Sequence, residues 1–191
     1  MEKSVKTLSL FTISLLFFST SFGQLNFISQ TNVSSDVKKL IEDFPNCFAN
    51  LKGEIKVQNP QTTEYESDFK IEGSEESRII IYTSKKKTIC SWESLVLTTE
   101  NFSEAKKKYK ALYTQLKSST NKLHLKGNYE EPKEEKKFAS SVFSINSQDI
   151  SSGKLKIEIS LQYELMEWKV KLLVYDRERE DDERGKTEDN K

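Results

Sequence analysis

The amino-acid sequence predicts an α+β protein in which two helices pack on one antiparallel sheet. Two segments carry apolar residues at helical spacing, and each is followed by four segments with the alternating pattern of strands. Short turn-forming segments join these strands, which favours antiparallel neighbours because parallel strands need long crossovers. Similar residues also recur at an offset of about 74 positions, which favours an internal duplication. We therefore predict tandem helix-plus-four-strand units at 24–98 and 99–176.

The first unit is predicted to open with a helix that Ser34 caps and Pro45 ends. Its apolar stripe steps by three and four residues through Val37, Leu40, Ile41 and Phe44. Alternating apolar residues then predict four strands, at 51–58, 65–71, 78–83 and 88–98.

The second unit is predicted to begin with a longer helix at Asn101, where Glu104 three residues later forms a capping box. One side of this helix carries an apolar stripe made of Phe102, Ala105, Tyr109, Leu112 and Leu116. Four further strands are expected at 122–129, 138–146, 154–163 and 168–175. The charged segment 130–137 is expected to be a solvated connection between the first two of them.

The two units share residues as well as element order. The stretch NLKGE at 50–54 resembles HLKGN at 124–128. Three further pairs fall at nearly the same offset, namely Phe69 with Phe143, Trp92 with Trp168 and Pro60 with Pro132. In the order of their elements, tandem modules of this kind look like those of exported peptide-binding and enzyme-inhibitor proteins.

The segment LQYELMEWKVKLLVYD changes the parity of its apolar residues in the middle and contains no glycine, proline or asparagine. We favour a hairpin that reverses at Leu165 and Met166, because it keeps the most apolar side chains on one face. Two observations count against this hairpin. Its register sets Glu164 opposite Glu167, and a two-residue turn normally uses Gly, Asn or Asp. A turn at 160–163, which agrees better with the repeat, and a bulged continuous strand are the alternatives.

Residues 1–23 have the pattern of a secretory signal peptide, with Lys3 and Lys6 ahead of an apolar run at 8–18. That run is too short to cross a bilayer. We therefore predict an exported protein, periplasmic or secreted, without an integral membrane segment after signal removal. Its 30 basic and 30 acidic side chains balance, so a dedicated nucleic-acid surface is not expected. The charged tail at 177–191 is predicted to be disordered.

The chain has two cysteines, Cys47 and Cys90. In an exported protein such a pair is more often bridged than free, so we predict a disulfide between them. Closing this loop stabilises the fold by about 4 kcal/mol in the chain-entropy model. Two buried thiols that never meet are the alternative.

The sequence offers little for catalysis, and no catalytic residue, metal site or cofactor is predicted. The only histidine, His124, lies on the polar parity of its strand. Two distant cysteines and one histidine give no zinc spacing, and glycine-rich phosphate loops and nucleophile elbows are missing. The abundant glutamates keep a carboxylate-dependent hydrolase open as a second alternative, although strand alternation already accounts for Glu158, Glu164 and Glu167.

We therefore expect a non-catalytic binding protein whose partner is another envelope or secreted protein. The residues expected to contact that partner are Leu165 and Met166, at the apolar tip of the long hairpin, and the nearby Trp168. The first alternative is a carrier of a small apolar ligand, which requires a closed apolar cavity of several hundred Å³ beside the sheet.

Overall fold

Both predicted helices and all eight predicted strands are present in the computed structural model, which describes residues 33–85, 87–119, 123–145 and 154–177. The helices are α1 (Val33–Asp43) and α2 (Phe102–Ser118). The strands are β1 (Lys52–Gln58), β2 (Thr62–Ser67), β3 (Glu76–Thr83), β4 (Thr88–Thr99), β5 (Leu125–Gly127), β6 (Phe138–Ile145), β7 (Leu155–Glu164) and β8 (Glu167–Asp176). The predicted signal peptide and all but the first residue of the predicted tail lie outside the described residues.

The eight strands form one antiparallel sheet with the order β1-β2-β3-β4-β8-β7-β6-β5. Each strand pairs with its neighbour in sequence inside the first four and inside the last four, and β4 pairs with β8 at the centre. The edges are β1 and β5. The α+β class and the antiparallel sheet are therefore confirmed. Within the described residues, no helix is both long and apolar enough to cross a membrane.

Both helices pack on one face of the sheet, which we call the helix face. The opposite face carries neither of these helices, and we call it the open face for that reason alone. Alternate strand residues point to the helix face, where Trp92, Ile159 and Leu172 are buried against the apolar stripes of α1 and α2. Trp92 donates its indole N–H to the Ser67 hydroxyl at 3.0 Å, so this large buried ring keeps its polar atom satisfied.

The start of α2 differs in one detail from the predicted capping box. Asn101 is the N-cap, and its side chain accepts a hydrogen bond from the Glu104 backbone N–H at 3.2 Å. The Glu104 carboxylate does not return to the Asn101 backbone and instead accepts from the Thr99 hydroxyl at 2.7 Å. The Asn101 N–H donates to that same hydroxyl at 3.2 Å. The Thr99 hydroxyl therefore links the Glu104 carboxylate to the Asn101 N–H, two groups that a capping box joins directly.

The predicted bounds of two strands are wrong: β2 spans Thr62–Ser67 where the sequence predicts 65–71, and β5 spans Leu125–Gly127 where it predicts 122–129. Strand β2 ends at Ser67, because the Ser67 hydroxyl donates to the Phe69 carbonyl at 2.8 Å and accepts from the Phe69 N–H at 3.3 Å. Such local side-chain bonds compete with the sheet ladder. Phe69 thus follows β2, whereas its sequence match Phe143 lies inside β6. Strand β5 starts only at Leu125, since His124 before it has a left-handed φ of 51°.

The predicted disulfide is confirmed, with Cys47 bonded to Cys90 and their Cα atoms 5.4 Å apart. It ties the segment after α1 to central strand β4. Cys47 and Phe48 both have left-handed backbones, with φ of 56° and 55°. The bend that they make inserts the Phe48 ring into the core, where it is fully buried. A buried disulfide of this kind is typical of proteins that fold in an oxidising compartment.

The hairpin predicted at Leu165 and Met166 is confirmed. Strands β7 and β8 pair through their whole length, with Tyr163 opposite Trp168 and Glu164 opposite Glu167. The turn therefore spans two residues, and the shift in apolar parity is what this connection requires because the residues that flank the turn share a face. The turn at 160–163 and the continuous bulged strand are excluded.

Candidate functional site

The most unusual surface feature is the two-residue turn between β7 and β8, which we call the tip and which consists of Leu165 and Met166. Their side chains are 87% and 79% exposed. Both residues have positive φ angles, 52° and 71°, as a type I′ turn requires at its two central positions. Glycine, asparagine and aspartate usually occupy such positions, because a larger side chain strains the backbone there. The tip therefore combines exposed apolar surface with a conformation that its residues disfavour.

The tip stands on a rigid aromatic base. Trp168 is only 3% exposed, and its ring lies between those of Tyr163 and Phe102, at centroid distances of 5.0 and 4.8 Å. The Lys137 ammonium lies 5.2 Å from the centre of the Tyr163 ring. Of the three residues expected to contact a partner, Leu165 and Met166 thus present free surface. Trp168 is covered by its own chain and supports the tip from below.

Two carboxylates flank the tip, and we call Glu164 and Glu167 the acidic collar. They face each other directly across the hairpin, an arrangement of like charges that destabilises a sheet. Glu164 accepts a hydrogen bond from the Gln162 amide at 2.7 Å and lies 3.6 Å from the Lys169 ammonium. Within the described part of the chain, Glu167 forms no ion pair.

A polar cleft of about 260 Å³ lies on the open face next to the collar. Its lining residues come from β3, β4, β7 and β8 and are Glu76, Arg78, Glu93, Leu95, Glu164, Lys169 and Lys171. Strand β4 has an irregularity in its pairing with β8 between Leu95 and Leu97, and a bulge of this kind changes the direction of the side chains that follow it. Leu95 consequently lines the cleft, whereas Leu97 contacts the core.

An ion-pair network crosses the floor of the cleft and joins four strands. The nearly buried Glu93 accepts from Arg78 at 3.1 Å and lies 3.3 Å from the Lys171 ammonium. Arg78 also contacts Glu64 at 3.3 Å. The charges of these four side chains cancel, and each of them has a partner. The network therefore gives Glu93, the buried carboxylate of the cleft, a structural role in holding β3, β4 and β8 together, and Glu64 extends it to β2.

The other residues considered for chemistry lie apart from this cleft. His124 is exposed in the turn before β5. Glu158, on the open face, accepts hydrogen bonds from the Ser140 hydroxyl and from the Tyr175 hydroxyl, the latter at 2.8 Å. Within the described residues, no three His, Cys, Asp or Glu side chains converge as metal ligands.

One buried polar group with a consequence for pH is Tyr109 on α2. Its hydroxyl is hydrogen bonded to the Ser141 hydroxyl at 2.6 Å beneath the helix. Burial raises the pKa of Tyr109 to about 12, the hydrogen bond to Ser141 opposes that shift, and the nearby Glu130 and Glu158 carboxylates add to it. The Tyr109 side chain is thus a neutral part of the core at ordinary pH.

Sequence reasoning found the tip but missed the cleft. Arg78, Glu93 and Lys171 are far apart along the chain, and each alone looks like an ordinary polar residue on the open side of a strand. Their convergence depends on β4 pairing with β8, which the sequence analysis did not specify. The only signal of the cleft in the sequence was that residues of opposite charge occupy positions of the same parity in strands that become neighbours.

Together these features define the class: an α+β protein with one sheet face covered by two helices, a polar cleft on the opposite face and an exposed apolar hairpin tip. No protein-family model, curated protein or solved structure matches the chain. The residues of the chain itself are therefore the basis for assigning a function.

Proposed function

We propose that this chain is an exported, non-catalytic binding protein that recognises another envelope or secreted protein through its tip. The observation that carries the proposal is the pairing of exposure with strain at Leu165 and Met166. Non-glycine residues in the left-handed region cost about 1–2 kcal/mol each. A sequence under selection for stability alone has Asn-Gly available for this turn. Strained residues that persist on a surface are characteristic of functional sites.

The support beneath the tip favours the same function. Each strand of the hairpin is ten residues long, and the Trp168 ring fixes its end between two other aromatic rings. A rigid apolar projection loses little conformational entropy on binding, which favours affinity. Leucine and methionine at such a projection suit insertion into an apolar pocket of a partner, because burying each side chain contributes about 1.5–3 kcal/mol.

The two alternative functions have less support. A carrier of a small apolar ligand needs an enclosed apolar cavity, whereas six of the seven residues lining the cleft are charged. A carboxylate-dependent hydrolase needs two carboxylates that face each other across a substrate. Of the three carboxylates that line the cleft, Glu93 is engaged by Arg78 and Lys171 and Glu164 by Gln162 and Lys169. Among the described lining residues, Glu76 is therefore left without a second free carboxylate to act with.

The test is affinity capture from envelope extract with the protein lacking residues 1–23. Three baits are compared, namely the unchanged protein, a Leu165→Ser, Met166→Ser double variant, and a control double variant, Ile55→Ser, Val57→Ser. The control residues are also exposed apolar side chains, at 55% and 42%, but lie on edge strand β1. We expect one protein to be retained by the unchanged bait and the control and lost by the tip variant.

Any captured protein is then purified and its affinity measured directly. The tip variant is expected to bind at least about 30-fold more weakly, which corresponds to losing about 2 kcal/mol of apolar burial. Equal capture by the unchanged protein and the tip variant would remove the tip as the contact element. Loss of binding in the β1 control alone would move the site to the edge strand.

We also propose that the two halves arose by duplication of one helix-plus-four-strand unit. The order of elements, the meeting of β4 with β8 at the centre and the placement of Gly53 and Gly127 in the two edge strands support this proposal. An experimental structure tests it: the two halves are expected to superpose by a rotation near 180° about an axis between β4 and β8. Halves whose helices cross the sheet in unrelated directions would contradict a duplication.

A further inference from the structure

The charges around the tip indicate what kind of surface receives it. We infer that the partner is a protein with an apolar pocket whose rim carries at least one lysine or arginine, placed to contact Glu164 and Glu167. This inference rests on the proposed function, since it describes the partner of the same tip. It adds the chemistry of the partner's pocket, which exposure and strain alone leave open.

The charges of the collar are not balanced by the described groups around it. The two carboxylates face each other across the hairpin, and one ammonium, that of Lys169, lies 3.6 Å from Glu164. Glu167 forms no ion pair within the described part of the chain. The collar therefore carries one more negative charge than its described neighbours neutralise. A cation on a docked partner would relieve the repulsion between the two glutamates, and the pairing would be strengthened by loss of water from the apolar contact.

The collar also lies where any partner that covers the tip must approach it. Glu164 and Glu167 are the residues on either side of Leu165 and Met166, so a surface that covers both apolar side chains must also approach both carboxylates. Leaving a carboxylate without a partner at a dry interface is costly. A partner that buries the tip therefore needs either a basic rim or a rim open to water, and the basic rim is the arrangement that also accelerates and orients encounter.

The collar argues against a membrane as the target. Apolar residues at a loop tip can insert into a bilayer, but bacterial and eukaryotic membrane surfaces that carry charge are anionic and attract lysine and arginine. Here the residues next to the inserted side chains are glutamates, which such a surface repels. The tip is thus suited to a basic protein surface.

The test uses the protein captured through the tip, in its purified form, as the binding probe. Binding kinetics are measured for the unchanged protein, for Glu167→Gln, for a Glu164→Gln, Glu167→Gln double variant, and for Glu42→Gln. The last is a control, because Glu42 is an exposed glutamate on α1 that pairs with Lys38 in the same helix. Each variant is measured at about 50 mM and about 500 mM salt, since screening weakens exposed charge pairs.

We expect Glu167→Gln to slow association and weaken binding about three- to tenfold at the lower salt, with a larger loss in the double variant and a much smaller difference at the higher salt. Glu42→Gln is expected to bind as the unchanged protein does. The collar variants should melt at the same or a higher temperature, because they remove a repulsion. Weaker binding from a fold of equal or greater stability separates this role from a structural one.

Two outcomes would overturn the inference and leave the proposed function standing. In both, capture depends on the tip, and the collar variants bind the captured protein either as tightly as the unchanged protein does or more tightly. Tip-dependent sedimentation of the protein with phosphatidylglycerol vesicles would overturn both the inference and the proposed protein partner, in favour of a membrane target. If the unchanged protein and the tip variant capture the same proteins, the proposed function is refuted. The inference, which rests on that function, is then refuted as well.

Discussion

Replacing the tip by the sequence that its backbone prefers should make the protein more stable while removing its proposed contact. In a Leu165→Asn, Met166→Gly variant, the φ angles of 52° and 71° are occupied by the two residues that most readily adopt them. The relief is about 1 kcal/mol or slightly more at each position. Little apolar burial is lost, because both side chains are largely exposed. The net expectation is about 2 kcal/mol of added stability.

For a domain of this size, a gain of about 2 kcal/mol corresponds to a rise in melting temperature of about 4–8 °C. The assay is thermal unfolding followed by circular dichroism with the disulfide intact, together with urea unfolding to show that the dependence of stability on urea concentration is unchanged. The matched control is the Leu165→Ser, Met166→Ser variant. It removes the same apolar surface without giving the turn its preferred residues, so it is expected to melt close to the unchanged protein.

A melting temperature that stays the same or falls in the Asn-Gly variant would refute the reasoning. It would mean that the left-handed backbone at Leu165 and Met166 carries no strain that glycine and asparagine relieve. The functional argument from strain would then fail, and exposure alone would remain as support for the tip.

Three further predictions concern the core. Gly127→Ala should lower the free energy of urea unfolding by about 1–3 kcal/mol, because the added Cβ would collide with the buried Phe143 ring. Adding Phe143→Leu should recover part of that loss. An unchanged urea midpoint in Gly127→Ala would contradict the close approach of Gly127 to Phe143. Replacing Cys47 and Cys90 together by serine should lower stability by about 4 kcal/mol; a loss below about 1 kcal/mol would show that the bridge does not constrain the unfolded chain. Burial raises the pKa of Tyr109 to about 12, above the value near 10 of an unfolded chain, so its contribution to stability is complete below pH 10 and is lost as pH rises towards 12. The urea midpoint should therefore fall more steeply over that range in the unchanged protein than in Tyr109→Phe, and parallel curves would contradict the shift.

Local patterns predicted the elements that depend on local chemistry. Helix α2 followed from its stripe and from Asn101, and the turn at Leu165 and Met166 followed from the parity of the surrounding apolar residues. That turn lacks every residue that normally marks one. It could still be located because the pleat fixes which side chains share a face, and only a two-residue connection keeps the apolar residues of both strands together.

What the sequence did not reveal depends on contacts between distant segments. The end of β2 at Ser67 is decided by a hydroxyl that bonds to Phe69, which competes with a strand that the alternation pattern extends to residue 71. The cleft needs the pairing of β4 with β8, and that pairing is formed by segments about 80 residues apart in the chain. The burial of Trp168 similarly depends on Phe102 arriving from the start of α2.

The most direct test of the account is the affinity of the purified captured protein for the unchanged chain and for the Leu165→Ser, Met166→Ser variant, measured side by side with the Ile55→Ser, Val57→Ser control. The account predicts that the tip variant binds at least about 30-fold more weakly, while the control binds as the unchanged protein does. Equal affinity for the unchanged chain and the tip variant, with both correctly folded, would contradict it.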